Sequence, residues 1–241
     1  GPAAEKFLFR GVPKVLFTSA TVRPKTPHLL GLNPLVEGRE YEFHEFPSTF
    51  EKARRSVIWV PTVQVKYKTP PDKMESWRDR IDQIIRTRLD RKGLIHTVSY
   101  RLARYIMEGS RYRHLMITHE DSRQTKEVIE RFKKAKPGGP DSILVSPSVH
   151  TGYDLPDDEC RYQIIGKIAY HDTSTKVMQA RAELDSEYPI YLAMLTLVQA
   201  AGRGMRATDD RCETLVVDGN SRWFFPKYKE FAPQWFNQAV Q

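Results

Sequence analysis

The chain has only two cysteines, Cys160 and Cys212, and no apolar run of 18 residues. Two cysteines are too few for a disulfide framework or a cysteine-built metal cluster. Without such a run no segment reads as a membrane-spanning helix. The seven histidines, at positions 28, 44, 96, 114, 119, 150 and 171, fall at no metal-ligand spacing, so no metal site is expected. There is no G-x-x-x-x-G-K-[ST] stretch, and no D-E-x-H or D-E-x-D. A cradle for nucleotide phosphates and the carboxylates that hold its magnesium are therefore both missing. No signal peptide is visible, and Gly1-Pro2 reads as a tag-cleavage scar. An intracellular location, cytoplasmic (nucleoid) or nuclear, is the expectation. What the chain has in surplus is positive charge: 38 Lys and Arg against 30 Asp and Glu, a net +8 over 241 residues. That balance favours nucleic acid or another anionic partner.

After residue 75, helical and strand patterns alternate. Trp77, Ile81, Ile84, Ile85 and Leu89 recur at helical spacing over 75–91. Gly93 introduces a short apolar run, 94–98, that predicts a buried strand. Leu102, Ile106 and Met107 mark a helix that ends at Gly109, and 114–118 reads as a second strand. Asp121-Ser122 offers an N-cap to a helix carrying Val128, Ile129 and Phe132. Lys136-Pro137-Gly138-Gly139-Pro140 is a loop. Strands follow at 143–145 and 163–165, helices at 174–185 and 188–203, and a further strand at 214–217. This alternation predicts an α/β domain with a mostly parallel sheet covered by helices on both faces. The first 70 residues read differently. Lys14-Val15-Leu16-Phe17 predicts an apolar strand, 41–46 alternates, 57–60 predicts another strand, and 67–73 with Pro70-Pro71 reads as a connector.

The densest chemical signal is Gln199-Ala200-Ala201-Gly202-Arg203-Gly204-Met205-Arg206. It closes an apolar helical run with two arginines three apart, a spacing that puts both on one helix face. Their planar, permanently charged forks suit phosphate oxygens; an amphipathic helix with a basic last turn has the same pattern. Thr18-Ser19-Ala20-Thr21, directly after the 14–17 run, offers hydroxyls for a hydrogen-bonding contact or a capped turn. Ser148-Val149-His150-Thr151-Gly152-Tyr153-Asp154-Leu155 follows the 143–145 strand, at the end where open α/β sheets bind ligands. There Gly152 allows close backbone approach, and Asp154 can accept from a ribose or orient an arginine. Arg101 and Arg104, after the 94–98 strand, are candidates for phosphate contact or an exposed basic face. The C-terminal aromatics, from Trp223 to Phe236, suit either base stacking or, at their near-helical spacing, core packing.

Taken in order, these segments resemble the motifs of superfamily-2 helicases, and of their XPD/DinG branch in particular. Q-x-x-G-R-x-x-R resembles motif VI, T-S-A-T motif III, and G-L-I-H-T-V-S-Y (93–100) motif IV. The 148–155 segment resembles motif V, usually S-x-x-E-G-x-D-F, with Thr151 in place of Glu and Leu155 in place of Phe. Ile164–Tyr170 resembles the K-L-P-F element with Ala169 where Pro is usual, and Asp218 and Arg222 resemble a D-x-R at longer spacing. The resemblance implies a RecA-like (P-loop NTPase-like) second motor domain over 23–241, preceded by the tail of the first motor domain, with motif III, over 1–22. It implies that Arg203 and Arg206 approach the terminal phosphate of ATP, whose Mg2+ is held mainly by the first domain. Gln199, Gly202, Gly152 and Asp154 then belong to the ATP side, and Thr18, Ser19 and Thr21 to the coupling motif. Thr97, Ser99, Arg101, Ser148 and Thr151 are implied to contact single-stranded DNA. The implied activity is that of an ATP-dependent DNA helicase, with this chain alone inactive. The implied partners are single-stranded DNA and the first RecA-like domain, with no membrane. A nonhydrolytic RecA-like module that binds nucleic acid or a partner is the alternative, and a superfamily-2 translocase outside this branch is a third.

Overall fold

The structure, a computed structural model, describes residues 4–35, 40–148 and 153–241. Six short strands form its centre: β1 (Val57–Trp59), β2 (Gly93–His96), β3 (Met116–Thr118), β4 (Ile143–Ser146), β5 (Tyr162–Ile165) and β6 (Glu213–Val216). They pair in the order β1-β6-β5-β2-β4-β3, and every neighbouring pair is parallel. β2, β4 and β5 are buried at every position, which is why they read as continuous apolar runs.

Successive residues of each strand serve opposite layers. Ile95, Val145, Ile164 and Leu215 face one core, with Trp77, Ile81 and Ile85 of α2 (Pro71–Arg86) and Leu102 and Ile106 of α3 (Tyr100–Gly109). The other face has two cores. Leu94, Ile117 and Leu144 meet Val128, Ile129 and Phe132 of α4 (Thr125–Lys134). Val57, Ile165 and Val216 meet α6 (Tyr188–Ala201), α7 (Ser221–Tyr228) and α8 (Gln234–Ala239). Among the described residues α1 (Lys25–Leu29) and α5 (Lys176–Leu184) complete the α-helices, and α5 buries none of its residues. The expected mostly parallel sheet flanked by helices is present. Phe224 and Phe236 of the C-terminal aromatic run are fully buried, and the run builds core.

Local chemistry sets the boundaries. Pro71 opens α2, where its missing N–H costs no bond. Ser99 caps α3 by accepting from the Leu102 N–H, and Asp121 caps the single 3-10 turn before α4.

The 14–17 run is not a strand. It lies outside the sheet with Leu16 89% exposed, and the alternating 41–46 stretch is likewise unpaired in the sheet. An apolar run becomes a strand only where a neighbour completes its ladder, and among the described residues none does. The segments around it are anchored instead by side chains. Thr26 Oγ1 is 2.6 Å from the Tyr191 hydroxyl, Lys25 Nζ 2.8 Å from Asp185, and Arg23 2.7 Å from Glu45.

Candidate functional site

The last turn of α6 releases into Gly202, and the following residues are aimed by two loops. Arg203 Nη1 donates to the Tyr153 carbonyl at 2.7 Å and lies 3.8 Å from Asp154 Oδ1. Arg206 Nη2 is 2.7 Å from the same Asp154 oxygen. The two guanidiniums thus converge on one carboxylate of the 148–155 segment. Arg203 is largely buried, with its side chain 12% exposed, whereas Arg206 is 37% and Asp154 68% exposed. Burial first, and then the like charge of Arg206, lower the Arg203 pKa against the opposing pull of Asp154. An arginine stays charged regardless, so two adjacent cations are held here beside the Asp154 carboxylate.

Asp210 fixes this geometry, and sequence reading missed it. It is almost fully buried, and its oxygens accept the backbone N–H groups of Arg206 at 2.7 Å, Ala207 at 2.8 Å and Asp157 at 2.9 Å. Burial raises its pKa, but those N–H groups and the Arg161 guanidinium outweigh it and leave the carboxyl below its ordinary value. The arginine turn and the loop after Asp154 are thereby clipped together. Gly204, between the arginines, sits directly on Cys212: a Cβ there would be 2.6 Å from the Cys212 Cβ and Sγ and 2.9 Å from the Cys160 carbonyl.

A cleft of about 1980 Å3 runs along this turn. Its walls include Gln199, Gly202, Arg203 and Arg206 together with Thr18, Ser19 and Thr21. The structure therefore brings seven of the expected residues to one cavity. Within it Ser19 Oγ is 3.2 Å from Thr21 Oγ1, and the hydroxyl-bearing segment is mostly exposed.

The remaining expected residues lie elsewhere. Cys160 and Cys212 lead into β5 and β6, so the arginine turn lies at the strands' N-terminal ends. Thr97, Ser99, Arg101 and Ser148 follow β2 and β4 and lie at the C-terminal ends. The 148–155 segment thus starts at one end of the sheet, while its Asp154 reaches the other. Thr97 is fully buried, and its hydroxyl donates to the Ser99 carbonyl at 3.3 Å, so it offers no side-chain contact to solvent. The Ser99 hydroxyl is occupied as the α3 cap. Between them Val98 has φ 58°, a left-handed backbone that a β-branched residue adopts only under strain. The Ser148 N–H donates to Ser146 Oγ at 3.2 Å, and that oxygen is 2.8 Å from His119 Nε2. Arg101 is exposed, and its guanidinium carbon lies 5.5 Å from the centre of the Tyr67 ring. Thr151 and Gly152 lie outside the described residues. Asp218 is fully buried and accepts from the Ile168 and Asn220 N–H groups, tying the 166–170 loop to β6, while Arg222 turns to the Pro61 carbonyl. Among the described residues no group of three His, Cys, Asp or Glu is placed to hold a metal, and no helix is long and apolar enough to cross a membrane.

The family model described as "Helicase C-terminal domain" matches residues 85–239, well over half of the chain. The chain belongs to the C-terminal domain family of XPD/DinG-like superfamily-2 helicases. This helicase domain is 25% identical over 229 residues to the ATP-dependent DNA helicase DinG of Salmonella choleraesuis (strain SC-B67), covering 89% of the chain and 32% of that protein. It is 25% identical over 138 residues to the general transcription and DNA repair factor IIH helicase subunit XPD of Dictyostelium discoideum, covering 53% of the chain and 18% of that protein. The fold matches the structure of S. tokodaii Xpd4 with a TM-score of 0.54 at 13% identity, over 83% of the chain and 41% of that one. The helicase domain thus spans about a third or less of the length of these curated relatives. Membership supports a helicase-related role, as a motor or in nucleic-acid binding, within an NTPase lineage.

Proposed function

We propose that this domain is the second motor half of an ATP-dependent DNA helicase or translocase. In this reading Arg203 and Arg206 complete an ATP site built mostly by a first motor domain, and residues at the opposite end of the sheet hold the backbone of single-stranded DNA. The observation that carries it is the convergence of both guanidiniums on Asp154, beside a cleft also lined by Gln199, Thr18, Ser19 and Thr21. Two fixed cations at a cavity wall, one of them half-exposed, suit the spreading negative charge of a transferring phosphoryl group. Gln199 and Gly202 form the adjoining wall, and Gly152 and Asp154 keep their assignment to the same side. The Mg2+ that accompanies ATP is assigned mainly to the first domain, as the family resemblance implies.

Residues 1–22 are read as the tail of the first domain, carrying the coupling hydroxyls of Thr18, Ser19 and Thr21. The exposure of Phe7 (75%) and Leu16 (89%) supports this, because such side chains are expected to be covered by a partner surface. At the DNA end Ser99, Arg101, Ser148 and Thr151 are assigned to the sugar–phosphate backbone. Thr97 supports them from below, with its hydroxyl turned inward. Contacts of this kind carry little base information, so binding is sequence-tolerant.

The test is ATP hydrolysis by the full-length protein with single-stranded DNA present. An arginine finger contributes roughly 10³–10⁵ in turnover, so Arg203→Ala is expected to reduce the rate by about that factor with the fold retained. Near-normal turnover in that variant overturns the assignment. The 241-residue chain by itself, lacking the phosphate loop, is expected to hydrolyse no ATP above background.

A further inference from the structure

The turn between β1 and α2 presents a feature that the helicase motifs do not include. Val65 is buried in the α2–α3 core, and Thr69 closes the turn after it. Its Oγ1 accepts from the Lys66 N–H at 2.6 Å and donates to the Gln64 carbonyl at 3.3 Å, while its own N–H reaches the Lys66 carbonyl at 3.3 Å. The tip so fixed is Lys66-Tyr67-Lys68, all three exposed, with Tyr67 83% exposed. A large aromatic ring left in water at the tip of a pinned turn has no core role. One face of that ring is covered by the Arg101 guanidinium, 5.5 Å from the ring centre, and this contact orients it. The other face is open. Among the described residues, no carboxylate pairs with Lys66, Lys68 or Arg101, so the cations beside the ring are not neutralised. Arg101 lies in the first turn of α3, two residues after Ser99, at the C-terminal ends of the strands.

We propose that Tyr67, backed by Arg101, is a stacking platform for a base of single-stranded nucleic acid, with Lys66 and Lys68 on the flanking phosphates. A base on the open face completes an arginine–tyrosine–base sandwich, and its phosphates fall among unpaired cations. Stacking is indifferent to base identity, which suits a grip that must not read sequence. The proposal rests on the nucleic-acid half of the function proposed above and adds to it the residue that touches bases.

The experiment is fluorescence anisotropy of the 241-residue chain with a labelled oligothymidylate and with an abasic strand of equal length, at low salt. Tyr67→Ala is expected to weaken the thymidylate strand roughly 5- to 160-fold, the range for loss of one stacked base. Tyr67→Phe, which keeps the ring, is expected to bind within about twofold of the parent. The abasic strand is expected to bind the parent and Tyr67→Ala equally. Thermal melting should be unchanged in both variants, because the side chain is exposed. Thymidylate binding unaffected by Tyr67→Ala overturns the platform alone, as does an equal loss on the abasic strand or a loss in Tyr67→Phe as large as in Tyr67→Ala. If the parent binds neither strand, the nucleic-acid half of the proposed function falls with it. The Arg203→Ala hydrolysis result is independent of all these outcomes.

Discussion

Asp210 gathers three backbone N–H groups from two loops, and removing its carboxylate leaves all three without an acceptor in a buried place. Asp210→Ala is therefore expected to destabilise the domain by about 2–3 kcal/mol, read by urea denaturation, because orphaned buried donors cost more than a made bond contributes. The carboxyl is held below its ordinary value when folded, so its contribution is present above the unfolded pKa, about 4. It is lost as pH falls through the lowered folded value. Asp210→Asn should accordingly flatten the acid limb of the stability curve relative to the parent; an unchanged limb would mean that the carboxylate carries no such linkage. Arg203 and Arg206 stand out in the sequence as two cations three apart beside small residues, but the expected helix face is not what aligns them: α6 stops at Ala201, and both arginines lie in the turn beyond it. Asp210 does not stand out, because an aspartate in a Thr-Asp-Asp turn has many ordinary explanations. Its importance arises only when Asp157, 53 positions earlier in the chain, comes to meet it.

Elements were legible wherever their stabilising partners were implied by their own pattern. Every strand expected between 75 and 217 is present, with no end shifted by more than two residues, because two-sided burial marks a central parallel strand as an apolar run. The 14–17 run carried the same mark but joins no ladder, since pattern alone does not supply a neighbour. A strand can also depend on what stacks over it. The Gly93 position that opens β2 lies under the Tyr162 ring, and a Cβ there would be 2.1 Å from the nearest ring atom. Tyr162 is fully buried and has no room to withdraw. Gly93→Ala is expected to cost about 1–3 kcal/mol through overpacking, with a lowered melting temperature as the readout. Gly204→Ala meets the Cys212 side chain and the Cys160 backbone in the same way, but it also moves the arginine turn. In the full-length protein it should therefore reduce ATP hydrolysis by more than its stability loss explains, whereas Gly93→Ala should not.

At the scale of the molecule, the sheet separates two sets of functional candidates. Ser99, Arg101, Ser148 and Tyr67 lie at the strands' C-terminal ends, and Arg203 and Arg206 lie beyond the N-terminal ends. The connection from β4 to β5 crosses the length of the sheet, because both strands run parallel to β2 between them. Among its described residues its only helical element is the single turn Asp157–Glu159. One covalent segment thus joins the Ser148 end to Asp154, which holds both arginines. A segment tethered at both ends is one physical route by which a nucleotide-dependent movement at one end is felt at the other. Asp154→Ala removes the carboxylate from the arginine pair without touching the end proposed to hold DNA. In the full-length protein it is expected to leave single-stranded DNA affinity without nucleotide within about twofold of the parent, since the phosphate contacts that dominate affinity are untouched. DNA should then stimulate ATP hydrolysis far less than in the parent, and the change in DNA affinity on adding a nonhydrolysable ATP analogue should shrink. Parent-like stimulation in that variant would show that the two ends communicate by another route, through the helices of either face rather than through the segment that spans them.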